Sequence, residues 1–401
     1  MDRAASPAYV VWELTLQCDL SCRHCGSRAG KARKDELTTA EALAFAAQLV
    51  EMGTEEVTLI GGEAYLHEGW LDIAAWLASR GVRVGILTGG RGMTRERAQQ
   101  AKDAGVVSMS VSVDALEELH DALRGHVGSY AKAMAAIGHA RDAGLQVAAN
   151  TQITRPALRH IEPLFELLCA AGIEAWQVSM TVPMGRAADE PDLLLQPYQV
   201  LEVLPMLARI HTRAKARGVR LFPGNDIGYF GPYEAQLRAE NAGGYRGTCS
   251  AGRSTMGVEA DGAIKGCPSL PSRDYLGGSI RDAPLREIWE RAAPLRFTRD
   301  RTASSLWGYC ATCYYAEACM GGCSWTAHVL FGRIGNNPYC HHRALELLAE
   351  GKRERIVQAT RAPGEPFDHG TFACIEEPWP EAERELAVVL AETGEGFLPA
   401  T

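Results

Sequence analysis

The chain has 401 residues, 46% of them hydrophobic and 22% charged, a balance suited to a globular protein that builds its own core. That length accommodates a barrel-sized domain and a smaller one. A formal charge of -8 argues against nucleic acid as the main partner, which would need a basic face. Residues 1–7 carry one arginine and no apolar run, and no stretch of about 18 apolar residues follows, so neither a secretory signal nor a membrane span is expected. The expectation is a cytoplasmic protein.

From residue 9 to 222 short β-rich runs alternate with helical ones. Strands are expected at 10–16, 56–60, 82–87, 106–113, 146–152 and 174–181. Ala-rich helices are expected at 39–52, 94–104, 130–143 and 159–171, and Gly53, Gly105, Gly144 and Gly172 stand at their ends as stops. Six strand–helix repeats imply parallel strands with right-handed crossovers. Six are too few to close an eight-stranded barrel, so the expected fold is α/β, a partial (β/α)6 TIM-like barrel over residues 1–223. Its chemistry should lie beyond the C-terminal ends of the strands. On the sixth strand Trp176, Gln177 and Met180 are core or pocket wall, and the period alone does not say which.

After Met184 the rhythm breaks. A helix at 198–217 and a short run at 219–222 lead into a Gly- and Tyr-rich segment, and residues 224–243 read as a connecting loop. Residues 244–342 are short, irregular and cysteine-studded, as in a domain where metal clusters replace part of a core. A hairpin is expected there, pairing 254–259 with 263–266 around Asp261-Gly262. Residues 343–401 read as an acidic, helical tail packed on the surface, with no visible chemistry.

The chain has twelve cysteines, and in a long chain without an export signal they point to metal ligation or catalysis. Cys169 and Cys374 stand alone, and Cys169, inside the apolar run 164–171, reads as a buried helical thiol. Cys18, Cys22 and Cys25 follow the first strand directly and so sit at the barrel mouth. Three thiolates hold three irons of a four-iron cluster and leave the fourth open to a ligand. Zinc on three Cys and His24 is the competing reading. Gly61-Gly62-Glu63 follows the second strand, and period-two alternation puts Ser110, Ser112 and Asp114 on one face at the end of the fourth.

This C-x3-C-x2-C pattern with its GGE and fourth-strand segment resembles the radical S-adenosylmethionine (SAM) superfamily. The resemblance implies that Cys18, Cys22 and Cys25 ligate a 4Fe–4S cluster whose open iron chelates SAM. Reductive cleavage then yields a 5'-deoxyadenosyl radical that abstracts hydrogen from a substrate. It implies that His24 packs near adenine and that Gly61, Gly62 and Glu63 meet the methionine moiety, the carboxylate taking the ammonium group. Ser110, Ser112 and Asp114 are implied ribose contacts, unless they form an inward polar ladder with only structural bonds. Arg124 is a candidate partner of the SAM carboxylate, His120 has no assigned role, and Asn150 and Gln152 are expected pocket residues. Ala64 stands where the family usually has Pro, with the carboxylate intact.

The remaining cysteines run Cys249, Cys267, Cys310, Cys313, Cys319, Cys323 and Cys340, with Gly262 between the first two. This spacing resembles the SPASM domain, an auxiliary-cluster module of radical SAM enzymes. The resemblance implies one fully ligated 4Fe–4S cluster on Cys310, Cys313, Cys319 and Cys340. A second would sit on Cys249, Cys267 and Cys323, for a total of three clusters, and zinc is the alternative occupant of these thiols. Some relatives carry a further cysteine just before the first; residues 243–246 here have none, so an open iron or a non-cysteine ligand is expected on the second cluster.

Overall the chain resembles the peptide maturases of that family, in particular the group associated with GDL-motif peptides. A ribosomally made peptide undergoing dehydrogenative crosslinking is therefore the expected substrate, and the enzyme an oxidoreductase. A reductase, flavodoxin or ferredoxin would supply the electron. Seventeen residues precede Cys18, so a leader would be read by a separate protein, by the SPASM region, or not at all. Pro268 stands where sulfatase maturases carry an Asp base, which weakens that reading. The alternatives are oxidation or rearrangement of a small biosynthetic intermediate, and a non-catalytic electron-transfer protein.

Overall fold

The computed structural model describes residues 5–238 and 249–398. Residues 243–246 and the expected boundary at 243/244 lie outside them. Strands β1 (Tyr9–Glu13), β2 (Glu56–Ile60), β3 (Arg83–Thr88), β4 (Val106–Ser112), β5 (Gln146–Ile153), β6 (Ala175–Met180) and β7 (Arg220–Pro223) pair in parallel and in sequence order. Between them run helices α1 (Thr39–Glu51), α2 (Trp70–Ser79), α3 (Arg95–Asp103), α4 (Glu117–Arg124), α5 (Ser129–Asp142), α6 (Ile161–Ala171) and α7 (Val200–Ala216). Thr38 opens α1 through a reciprocal capping box with Glu41. The short run at 219–222 is thus a seventh strand, which pairs Leu221 with Trp176.

Alternation along the strands separates core from cavity. On β5, Val147, Ala149, Thr151 and Ile153 are buried towards the helices, while Asn150 and Gln152 face the interior of the barrel. Trp176 is buried and stacks on Phe165 of α6 with ring centroids 5.8 Å apart, whereas its neighbour Gln177 lines the interior. Trp12 meets Phe45 of α1 edge-on at 4.9 Å. Cys169 packs partly buried against the same core, as expected for a helical thiol.

The barrel stays open, which leaves β1 with one edge free. The expected cysteine-domain hairpin fills that edge. Strand β8 (Thr255–Val258) runs parallel to β1, pairing Val10 with Met256, and β9 (Ala263–Lys265) and β10 (Leu276–Ser279) follow antiparallel. One ten-stranded sheet therefore joins the barrel to the cysteine-rich region. An unpaired row of backbone groups invites such addition.

The tail departs from the helical expectation. Helices His341–Ala349 and Glu381–Thr393 flank an antiparallel hairpin, β11 (Lys352–Thr360) and β12 (Thr371–Pro378). Only a few of its positions are buried, so its period-two signal is weak in the sequence. The connection between β11 and β12 returns to the barrel mouth. No helix among the described residues is long and apolar enough to cross a membrane.

Candidate active site at the barrel mouth

The loop after β1 carries Cys18, Cys22 and Cys25 and is tied down mainly by backbone. Cys18 N–H donates to the Gly30 carbonyl at 3.0 Å, and Arg23 N–H to that of Leu123 at 2.8 Å. Arg186 Nε donates to the Cys22 carbonyl at 2.6 Å. Burial pushes the Cys18 thiol up to about 12, with Glu63, Cys22 and Cys25 adding to the effect. Three thiols this close resist ionising together unless a cation neutralises them, so the donor set fits an iron–sulfur cluster.

Glu63 is buried directly beside them. It accepts from Thr88 Oγ1 at 2.7 Å and from Gly89 N–H at 2.6 Å, and burial pushes its carboxyl up to about 7. Ligating atoms of Cys18, Asp19 and Glu63 lie within 4.8 Å of one another, an acidic pocket suited to an ammonium group. The Thr88–Gly89 cradle was missed in the sequence, although Thr88-Gly89-Gly90 ends a parallel strand. The two glycines of the GGE motif face protein, not only ligand. A Cβ on Gly61 would sit 2.5 Å from the Thr15 carbonyl oxygen, and one on Gly62 would overlap that of Gln17. Gly62→Ala should therefore displace the cysteine loop, costing about 1–3 kcal/mol in stability and about a hundredfold in the rate of SAM cleavage. Measuring 5'-deoxyadenosine release beside a thermal melt checks both.

Asp114 and Arg124 take places other than those expected. Asp114 is fully buried and does not reach the cavity. Its Oδ2 accepts from Arg124 at 2.6–2.7 Å and lies 3.2 Å from His24 Nε2, and its Oδ1 accepts from Gln152 N–H at 3.0 Å. Arg124 is thus spent on Asp114 and points its remaining nitrogen at Cys22 Sγ, 3.7 Å away, instead of at a SAM carboxylate. Both residues hold the cysteine loop from beneath. His120 completes the set, its Nδ1 accepting from Asp114 N–H at 3.1 Å.

Above this layer lies a cavity of about 430 Å³. Of the candidate SAM contacts, His24, Gly61, Ser110, Asn150 and Gln152 line it, and Gly62, Glu63 and Ser112 do not. His24 Nδ1 is buried without a hydrogen-bond partner, a polar atom left for a ligand such as adenine. Gln177, read from the sequence as core or pocket wall, also lines it, and so do Glu13, Ser108, Trp325 and Phe367, which were not singled out. Burial pushes the Glu13 carboxyl up to about 8 despite the nearby Arg33.

The C-terminal cysteines gather in the two expected sets. Cys310, Cys313, Cys319 and Cys340 line one small apolar cavity with Phe230 and Tyr315. Burial pushes Cys267 up to about 12, and Cys249 and Cys323 lie close enough to add to the effect. Pro268 and Ser269, next to Cys267, and Trp325, two residues beyond Cys323, line the barrel cavity, so the three-thiol set is the one nearer the barrel.

An α/β barrel with three thiols at its mouth and further thiol sets beside it fits an iron–sulfur enzyme. Comparison with known proteins agrees. The radical SAM superfamily matches residues 12–163, and the SPASM iron–sulfur cluster-binding domain matches residues 249–314. The AdoMet-dependent heme synthase of Methanosarcina barkeri is 31% identical over 84% of this chain and 97% of its own. The mycofactocin maturase MftC of Mycolicibacterium smegmatis is 27% identical over 79% of this chain and 78% of its own. The fold matches crystalline Streptococcus suis SuiB bound to SAM with a TM-score of 0.65 at 14% identity, covering 84% of this chain and 76% of that one. The chain belongs to the radical SAM enzymes that carry a C-terminal SPASM domain.

Proposed function

We propose that the chain abstracts hydrogen from a peptide substrate to begin an oxidative crosslink, using SAM and three 4Fe–4S clusters. The clusters would be held by Cys18, Cys22 and Cys25, by Cys249, Cys267 and Cys323, and by Cys310, Cys313, Cys319 and Cys340. When bound, the cluster and SAM would supply the 5'-deoxyadenosyl radical chemistry. Around it Glu63 and Asp19 receive the SAM ammonium, His24 Nδ1 meets the adenine, and Arg124 and Asp114 keep Cys22 in place. Phe367 and Trp325 help keep water out of the cavity.

One observation favours a peptide. Among the described residues the cavity is lined by hydroxyl and amide groups, Ser108, Ser110, Asn150, Gln152 and Gln177 among them, with a carboxyl at Glu13 and no Arg or Lys. Such a wall suits amides and neutral side chains, and it offers no counter-ion to a polycarboxylate. The second reading, a small-molecule haem precursor, draws on the similarity to the heme synthases. A reductase, flavodoxin or ferredoxin would donate the electron, and a separate protein would present a leader.

The test is mass spectrometry of a peptide encoded beside the gene, after anaerobic turnover with SAM and reductant. Loss of two hydrogens matched by 5'-deoxyadenosine is the expected result. An unchanged peptide, with an iron porphyrin carboxylate consumed instead, would transfer the assignment to haem-precursor chemistry.

A further inference from the structure

Away from the cavity, three metal-ligating side chains meet where the tail hairpin touches the cysteine-rich domain. Asp274 lies in the short helix Ser272–Tyr275, His328 in the helix Ser324–Phe331, and His369 in the connection between β11 and β12. One ligating atom of each lies within 4.8 Å of the other two. His328 Nε2 and Asp274 Oδ2 are 3.2 Å apart. Two ligands of tetrahedral zinc, each bonded at about 2.0–2.1 Å, stand about 3.4 Å apart, so this pair already has the spacing.

The hydrogen bonds of the two imidazoles suit ligation. His369 Nδ1 lies 2.7 Å from the Gly370 carbonyl oxygen, which can only accept. Nδ1 therefore carries the proton, and the lone pair is on Nε2. His328 Nδ1 lies 3.0 Å from the Tyr275 hydroxyl, which can accept a hydrogen bond from Nδ1–H and so leave the Nε2 lone pair to a metal. A backbone carbonyl or hydroxyl behind each ring is the support that metal-binding histidines ordinarily have. His328 is buried, and the half-exposed Asp274 leaves a path to solvent.

We propose that Asp274, His328 and His369 form a site for a divalent cation of the zinc class, which staples the tail hairpin to the cysteine-rich domain. Water completes the coordination. The staple lies two residues from Phe367, whose backbone is held at φ 58°, a left-handed conformation unusual for a bulky residue. Between the two, Asp368 accepts from Arg28 Nε at 2.7 Å and, through its carbonyl, from Gly185 N–H at 2.8 Å. Metal and arginine together would fix the loop that places Phe367 in the cavity wall. The site uses two histidines and an acid from three segments, one of them a loop outside the SPASM pattern, and shares no ligand with the ten cluster cysteines.

The test uses the full chain with its clusters reconstituted, incubated with one equivalent of zinc and desalted. Zinc and iron are then counted by elemental analysis for wild type, Asp274→Asn and His369→Ala. We expect one zinc per wild-type chain, a fall of roughly tenfold or more in each variant, and unchanged iron. Zinc should also slow proteolysis within residues 361–370 of the wild type and leave His369→Ala unaffected. Zinc retained by both variants, zinc absent from wild type, or zinc that falls only together with iron would each overturn the proposal. The last two results would leave the trio as a hydrogen-bonded His–Asp pair beside a second histidine.

Discussion

Replacing Cys18, Cys22 and Cys25 together with alanine is expected to remove about four irons per chain and to reduce 5'-deoxyadenosine formation to background. The loop should survive the change, because its anchors are mainly backbone groups: Cys18 to Gly30, Arg23 to Leu123, and Arg186 to the Cys22 carbonyl. Folding is then preserved while the donor set is lost. The C-terminal thiols, between Cys249 and Cys340, belong to other segments and should keep their iron, so elemental analysis and the visible spectrum would show a partial loss. Full iron content, or SAM cleavage at the wild-type rate, would refute the assignment of this loop.

Asp114→Ala should be the most damaging single change outside the cysteines. Asp114 is fully buried, is the ion-pair partner of Arg124, and lies 3.2 Å from His24 Nε2. Removing one member of a buried pair leaves the other charge uncompensated, at a cost of about 3–5 kcal/mol. Arg124, so released, faces Cys22, so cluster retention should fall with stability. Burial opposes the charge of Asp114, but Arg124 and then His24 outweigh it and hold the carboxyl below the usual carboxylate range. A group with a depressed folded pKa stabilises above its unfolded value, about 3.9, and loses that contribution as pH falls through the folded one. The gap in stability between wild type and Asp114→Ala should therefore be full near neutrality and shrink below about pH 4. Chemical denaturation at matched cluster content across pH would measure it; a gap independent of pH would mean that Asp114 acts by packing alone.

The parts of the site that were legible are those written locally. Cys18, Cys22 and Cys25 share one loop, the GGE motif ends one strand, and Ser110, Asn150 and Gln152 follow the period of two into the cavity. Asp114 obeyed the same logic only in part. It lies two residues beyond the end of its strand, and its direction there is set by Arg124 and His24 instead of by alternation. Arg124 looked available for a ligand because a sequence does not show that its charge is already taken.

Spacing and periodicity, properties of neighbours along the chain, were enough to determine the strand–helix rhythm and the two cysteine groups, and the family resemblance their motifs carry supplied the kind of chemistry. Tertiary structure decided what depends on distant segments meeting. It added β8 to the free edge of β1, because an open barrel leaves backbone groups unpaired there. It brought Phe367 and Trp325 to the cavity of a barrel that begins at Tyr9, and His369 to His328. Such contacts arise from the burial of apolar surface and the pairing of charges over hundreds of residues, and no local pattern in the chain encodes them.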